Sequence, residues 1–388
     1  MAGKVGKLAL VLAALYVVGG IGLLALGRLD RLYFWPGWSI KGPNSKTDRS
    51  GFAADGPVVY FHGDALISRR IAPRHGALAL LTDTLQPCAV LTCFVAETGQ
   101  TFRVPLRRAV SVPASAYPQP EKWVAVSDIE GNFKGFEQLL RGAGVVDAQL
   151  TWRFGRGHLV LVGDFFDRGL QVTECLWLIY KLEQEAEQAG GKIHFIMGNH
   201  ERMNLTGHFR YVRRKYRVSA DTLGVAYAQW YGRATVLGQW LRTKNVVEKI
   251  GSLVFVHGGI SPELTAQGLS LAQLNDWART SLDTPAVALP PQARLATQPP
   301  SSPDWYRDLA LEKLTEAQVA QVLKTYGATA MVIGHTPVMS IKPLYHGKVI
   351  AIDLPHQKRT DESLPLQALW LEKGRMSVID GNGHKSAF

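Results

Sequence analysis

An α/β core over roughly residues 121–380 is what this sequence predicts, on two observations. From Trp123 onward, short apolar β-branched runs alternate with stretches of helical periodicity. Five of those runs also end in polar loops: Val124 to Val126 before Ser127-Asp128-Ile129-Glu130-Gly131-Asn132, His158 to Val162 before Gly163-Asp164-Phe165-Phe166-Asp167-Arg168-Gly169, Ile193 to Met197 before Gly198-Asn199-His200-Glu201, Leu253 to Val256 before His257-Gly258-Gly259, and Ala330 to Ile333 before Gly334-His335-Thr336-Pro337. In open α/β sheets ligands bind beyond the carboxyl ends of the strands, so these loops are expected to converge on one crevice.

The helices between them follow the same logic. Phe133, Phe136, Leu139 and Leu140 form one buried stripe, and Val172, Leu176, Ile179, Leu182 and Ala186 another. Between the third and fourth loops lies a long insert, Arg202 to Lys249. In it Arg210, Arg213, Arg214 and Arg217 recur at i, i+3, i+4 and i+7 and are expected on one helical face, either solvated or docking an anion. Residues 281–304 hold six prolines without a clear period and read as a loop over the site.

Ahead of the core, Val58 to Phe61, Leu66 to Ile71, Leu78 to Leu81, Val90 to Val95 and Thr101 to Val104 suggest a small β-rich unit over 57–113. Residues 32–56 read as a linker. Leu8 to Gly27 contains no charge and is flanked by Lys4, Lys7, Arg28 and Arg31. Twenty such residues match the ~30 Å hydrocarbon thickness, so 1–31 is expected to be an N-terminal membrane helix, with a cleaved signal peptide as the rival. The flanking charges are too balanced to fix orientation, and the reading leans toward an extracytoplasmic catalytic domain.

The chain has 388 residues, is 46% hydrophobic and carries a formal net charge of +11, which admits a full core and favours anionic partners. No nucleic-acid-binding signature accompanies the charge, so nucleic acid is not an expected partner. Cys88, Cys93 and Cys175 have no CxxC spacing and read as packing residues, a single Cys88 to Cys93 bridge remaining an alternative.

The donors at the strand ends, Asp128, Glu130, Asp164, Asn199, His257 and His335, mix carboxylate oxygen with imidazole nitrogen and outnumber the ligands of one tetrahedral ion. They suit two divalent cations, which together polarise a phosphoryl oxygen and generate a nucleophile.

The motif set Asp128-Ile129-Glu130-Gly131-Asn132, GDFFDRG at 163–169, GNHE at 198–201, HGG at 257–259 and GHTP at 334–337 resembles the calcineurin-like metallophosphoesterases. It is closest to phosphoprotein phosphatases in its DRG and GNHE. Met203-Asn204-Leu205-Thr206-Gly207, Trp240-Leu241-Arg242 and Trp305-Tyr306-Arg307 look like the bacterial Shewanella-like phosphatase branch. The resemblance implies a four-layer α/β/β/α sandwich and hydrolysis of a phosphorylated protein or a small phosphoester by metal-bound hydroxide. Phosphotyrosine and phosphoserine or phosphothreonine both stay open, with cleavage of a phosphodiester or pyrophosphate in a nucleotide or lipid as the alternative. A non-catalytic phosphate-binding scaffold ranks lower.

It further implies two metals, Mn foremost with Mg, Fe or Zn as alternatives. Asp128 and residue 130 would hold the first, Asp164 would bridge, and Asn199, His257 and His335 would hold the second. His200 would be the general acid, oriented by Asp167. Arg168 and Arg307, with Asn199, would bind the phosphoryl group. The family pattern has histidine where this chain has Glu130, whose rival role is to turn away and pair with a base or cap a helix. The oligomeric state is left open.

Overall fold

The computed structural model describes residues 48–388 throughout, together with 13, 16–21, 31–35 and 38–41. The stretch expected to span a membrane, 8–27, falls mostly outside the described residues. No described helix is long and apolar enough to cross a membrane. Two compact units are present, 1–51 and 52–388. In the first, strand β1 (Arg31–Trp35) pairs antiparallel with β2 (Trp38–Lys41), so a hairpin occupies part of the stretch read as linker.

The second unit opens with β3 (Asp55–His62), β4 (Ala65–Arg74) and β5 (Ala77–Leu85) in an antiparallel sheet, then the hairpin β6 (Val90–Phe94) and β7 (Thr101–Pro105). These strands are not free-standing. Val58, Cys93 and Phe102 share a core with Trp177 and Tyr180 of the helix Val172–Gln188, and Trp177 Nε1 donates to the Pro57 carbonyl at 2.7 Å. All three cysteines are free, Cys88 exposed and the other two buried.

Then follow β8 (Ala116–Tyr117), β9 (Lys122–Val126), β10 (His158–Val162), β11 (Lys192–Ile196), β12 (Val247–Ile250), β13 (Leu253–Val256), β14 (Ala330–Ile333), β15 (Lys342–Leu344), β16 (Val349–Ala351), β17 (Gln367–Glu372), β18 (Arg375–Asp380) and β19 (Lys385–Ala387). They make two mixed six-stranded sheets, ordered β11-β10-β9-β17-β18-β19 and β15-β16-β14-β13-β12-β8. Strand alternation divides the apolar residues between two cores. Trp123, Ala125, Val160 and Val162 face Phe255, Ala330, Val332 and Ile350 between the sheets. Val124, Val126, Leu159 and Leu161 face outward, under Phe133, Phe136 and Leu140 of the helix Phe133–Gly142 and Leu176 and Ile179 of the helix Val172–Gln188. Strands β9, β10 and β11 run parallel, as do β13, β14 and β16, so in each sheet their carboxyl ends share an edge.

Two stretches differ from their expected form. The helix carrying the arginines begins at Arg214 and runs to Leu223, with Arg213 as its extended N-cap residue and Arg210 in the turn before it; the four do not share a helical face. Within 281–304, a helix spans Pro291–Thr297 with Ala293, Ala296 and Thr297 buried against the helix Leu271–Ser281. Proline is tolerated in a first turn, where its missing N–H has no partner to lose, so a proline-rich stretch can open a helix.

Candidate active site

The loops after β9, β10 and β14 require backbone that most residues avoid. Asp128 (φ 56°), Glu130 (51°), Asp164 (57°), Asp167 (69°), Arg168 (54°) and His335 (65°) all lie in the left-handed region. Gly163 (φ 84°) sits so tightly that a Cβ there would lie 2.6 Å from His257 Nδ1. The loops are locked to one another through Glu201. Its buried carboxylate accepts from the backbone N–H of Asp164 (2.8 Å), Phe165 (2.7 Å) and Gly198 (2.7 Å). Burial and then Asp164 push Glu201 up to about 7, while those three N–H groups favour its ionised form.

Asp164, His257 and His335 converge, with potential ligand atoms all within 4.8 Å of one another. His257 Nδ1 donates to the Val162 carbonyl at 2.7 Å, which leaves Nε2 as the ligand atom. Nε2 lies 3.1 Å from Asp164 Oδ2 and 3.1 Å from Asn199 Oδ1. His335 Nε2 faces the Trp305 carbonyl at 3.1 Å, reserving Nδ1 for the cluster. Asp128 is buried alongside; its Oδ2 accepts from Ser127 Oγ and from His335 N at 3.2 Å. Burial raises Asp128 to about 6, against His257, which lowers it.

This set fits divalent cations. Imidazole, carboxylate and amide oxygens direct lone pairs into one small buried volume, where without a cation only a proton can separate them. Burial alone would lower His257, yet Asp164 and Asp128 raise it to about 10: the cluster demands positive charge at that point. Among the ligands expected from sequence, Glu130 stands apart. It lies within 4.8 Å of Asp164 and His200, but its Oε1 is bonded to Arg168 Nη1.

The proton-transfer pair is assembled as expected. His200 Nδ1 and Asp167 Oδ2 are 2.6 Å apart, and His200 Nε2 lies 3.8 Å from Asp164 Oδ2 and 3.4 Å from Arg168 Nη2. Burial opposes protonation of His200, but Asp164 and Asp167 outweigh it and hold its pKa above the ordinary value. Asp167 is fixed in turn by Asn204 Nδ2 (3.0 Å), which Tyr227 Oη holds at 2.9 Å. Arg168 is half exposed, and Arg213 Nη1 donates to its carbonyl at 2.7 Å. Arg307 donates to the His335 carbonyl at 2.9 Å and to Thr336 Oγ1 at 3.2 Å, placing it on the other flank of the cluster.

Four contributors were not given roles from sequence: Glu201, Asn204, Tyr211 and Asp353. The Tyr211 ring lies 5.1 Å from the His200 ring, with the guanidinium of Arg168 5.7 Å and that of Arg210 5.3 Å from its centroid. Asp353 follows β16 and is buried; desolvation and then Asp128 push it up to about 9. Glu201 and Asn204 left sequence signals, as the last residue of the GNHE motif and as part of Met203-Asn204-Leu205-Thr206-Gly207; Tyr211 and Asp353 left none.

Comparison with known proteins agrees with this geometry. Residues 122–339 match the calcineurin-like phosphoesterase family. Shewanella-like protein phosphatase 2 of Arabidopsis thaliana is 28% identical over 296 residues, covering 64% of this chain and 75% of that protein. Shewanella-like protein phosphatase 1 of Plasmodium berghei is 26% identical over 224 residues, or 55% of this chain and 61% of that one. Among solved structures, the cold-active protein-tyrosine phosphatase of a psychrophilic Shewanella species superposes with a TM-score of 0.77 at 31% identity, covering 86% of this chain and 99% of that chain. The two mixed sheets, the loops at their shared edge and the donors those loops bring together are therefore those of a phosphatase, and the chain belongs to the calcineurin-like phosphoesterases.

Proposed function

We propose that this enzyme is a metal-dependent phosphoprotein phosphatase that prefers phosphotyrosine to phosphoserine. The observation that carries the reading is the His200–Asp167 pair, 2.6 Å apart, set between the Asp164, His257 and His335 cluster and the Arg168 guanidinium. A proton donor at the edge of a cationic phosphate site suits hydrolysis better than binding alone. Asp164, Asn199, His257 and His335 would hold one divalent cation, with Asp128 and Asp164 toward a second. When bound, such cations supply Lewis acidity at the phosphoryl oxygens and a nucleophile at neutral pH.

The residues of the chain do the rest. Arg168 and Arg307 hold the peripheral phosphoryl oxygens from opposite flanks, each guanidinium offering parallel donors. His200 Nε2 gives its proton to the leaving oxygen, and Asp167 on Nδ1 stabilises the imidazolium beforehand. Tyr211, partly exposed beside His200, offers an aromatic face where the leaving group departs, which favours an aryl ester. Similarity to a protein named as a tyrosine phosphatase supports the same preference.

The test is turnover of phosphotyrosine and phosphoserine peptides by the purified full chain with Mn²⁺, beside bis-nitrophenyl phosphate as the diester. Phosphotyrosine is expected to lead, with Asp164→Asn inactive on all three. Faster turnover of the diester would favour the alternative reading, to which similarity of 152 residues to a bis(5'-nucleosyl)-tetraphosphatase of Chromobacterium violaceum lends support. Membrane attachment through residues 8–27, with an extracytoplasmic catalytic body, belongs to the same proposal on the strength of their uncharged sequence alone. Carbonate extraction of membranes and protease protection of intact cells test it.

A further inference from the structure

A cleft of about 680 Å³ adjoins the metal-liganding loops and is used by none of the chemistry above. Met203 of the helix Asn199–Leu205 and Thr206, which caps its end, line one side; Leu282, Pro285 and Ala286 line the other. Trp305 joins it to the catalytic centre: its carbonyl is the partner of His335 Nε2, and its ring meets the His335 ring edge-on at 5.7 Å. The size is that of a pocket for a small organic group rather than an ion.

The charges in its walls are already matched. Arg202 Nε lies 2.5 Å from Asp304 Oδ2, and Arg202 Nη1 donates to Ser281 Oγ at 2.6 Å. Asp283 pairs with Arg233 at 2.7 Å and Arg242 at 3.5 Å. The cleft thus offers thioether, aliphatic, proline and indole surface among neutral hydroxyl and amide groups and His208, with its carboxylates and guanidinium ion-paired although Arg202 Nη2 and Asp304 Oδ1 have no hydrogen-bond partner; Arg168 and Arg307 are exposed at the catalytic centre. Two chemically distinct halves of one ligand are sorted by this arrangement: an anion to the arginines, an apolar group to the cleft.

We propose that the cleft is a substrate subsite that takes a large uncharged side chain, such as leucine, methionine or phenylalanine, lying close in sequence to the phosphorylated residue. This rests on the phosphatase reading above. Arg202 is two residues from His200, and Trp305 is bonded to His335, so the cleft begins at the catalytic centre. A side chain one to three positions from the phosphorylated residue, within about 10 Å of extended chain, reaches it.

The test uses the full chain with Mn²⁺ and phosphotyrosine peptides in which each position from −3 to +3 is in turn leucine, aspartate or lysine. One position should favour leucine over aspartate by about ten- to hundredfold in kcat/KM, carried by KM. Ala286→Trp fills the cleft and should erase that preference while leaving p-nitrophenyl phosphate turnover and the aspartate peptide unchanged. Leu282→Ala enlarges it and should move the preference toward phenylalanine or tryptophan, thermal melts confirming that both variants fold. Binding of a non-hydrolysable phosphonate peptide, read by fluorescence anisotropy, should follow the same order without turnover. A flat panel, or a leucine preference surviving in Ala286→Trp, overturns the subsite while nitrophenyl phosphate turnover leaves the phosphatase reading intact. Absence of turnover on every phosphoester overturns that reading, and the subsite with it.

Discussion

Glu130 is the residue on which sequence pattern and geometry diverge most. The resembling family carries histidine at this position, and three carboxylates, Asp128, Glu130 and Asp164, would leave two divalent cations with less net charge than two carboxylates and a histidine. In the structure Glu130 is committed to Arg168, so the guanidinium that grips phosphate must share itself between two anions. Glu130→Ala is therefore expected to tighten inhibition by inorganic phosphate several-fold, about 1 kcal/mol for a partly exposed ion pair, with metal stoichiometry unchanged. Loss of one metal equivalent on mass spectrometric analysis would instead make Glu130 a ligand. His200→Asn should leave metal content intact and lower kcat by roughly 10²–10⁴ on alkyl phosphates, with a smaller loss on nitrophenyl phosphate. Equal losses on the two would argue against proton donation by His200, because a good leaving group needs little protonation.

At the scale of the elements, the strands that carry the site were legible because each signals locally. Val160-Leu161-Val162-Gly163-Asp164 announces a buried strand and its exit within five residues, and β10 occupies His158–Val162. What depends on distant partners was not legible. The helix Asn199–Leu205 was expected to deliver Asn199 and His200, yet its Glu201 ties two loops together across 37 residues of sequence, a contact no period reveals. The arginine spacing at 210–217 suggested one helical face because periodicity does not mark where a helix starts. The prolines of 281–304 hid the helix Pro291–Thr297 because proline disfavours helix everywhere except in the first turn, which is where Pro291 stands. Glu201→Gln keeps the shape but turns an amide donor toward at least one of the three backbone donors. A stability loss of about 1–3 kcal/mol is expected in urea titration, together with metal affinity weakened about ten- to hundredfold by calorimetry. Unchanged metal affinity would confine Glu201 to folding.

The molecule as a whole is fastened by a second buried group of charges, away from the site. Lys215, from the helix Arg214–Leu223, lies 3.6 Å from Asp55 at the start of β3 and 3.8 Å from Glu174 in the helix Val172–Gln188, so the small sheet, the insert and the catalytic body meet at one ammonium. Neither oxygen of Glu174 has a hydrogen-bond partner. Burial drives Glu174 up to about 8; Lys215 opposes the shift and Asp55 adds to it. Between its unfolded value of ~4.3 and about 8, the folded state keeps a proton that the unfolded chain has released. Stability from this group is therefore full at low pH and falls as pH rises through that window, by at most about 1.4 kcal/mol per pH unit. Glu174→Gln, which mimics the protonated form, should match the parent near pH 5 and exceed it near pH 9 in urea midpoint. Parallel curves across that range would remove Glu174 as the source.

The left-handed backbone at Asp128, Glu130, Asp164, Asp167, Arg168 and His335 bears on how such an enzyme can change over generations. Six of the ten site residues expected from sequence, counting the His200–Asp167 pair with the metal and phosphate binders, occupy conformations that β-branched and bulky side chains resist, and Gly163 leaves no room for a Cβ beneath His257. Random substitution there damages the backbone before it can alter chemistry. The walls of the apolar cleft carry no such restriction: Met203, Thr206, Leu282, Pro285 and Ala286 all have ordinary backbone. If the cleft is the substrate subsite proposed above, changes in those walls would alter which substrate is held while the catalytic backbone stays as it is.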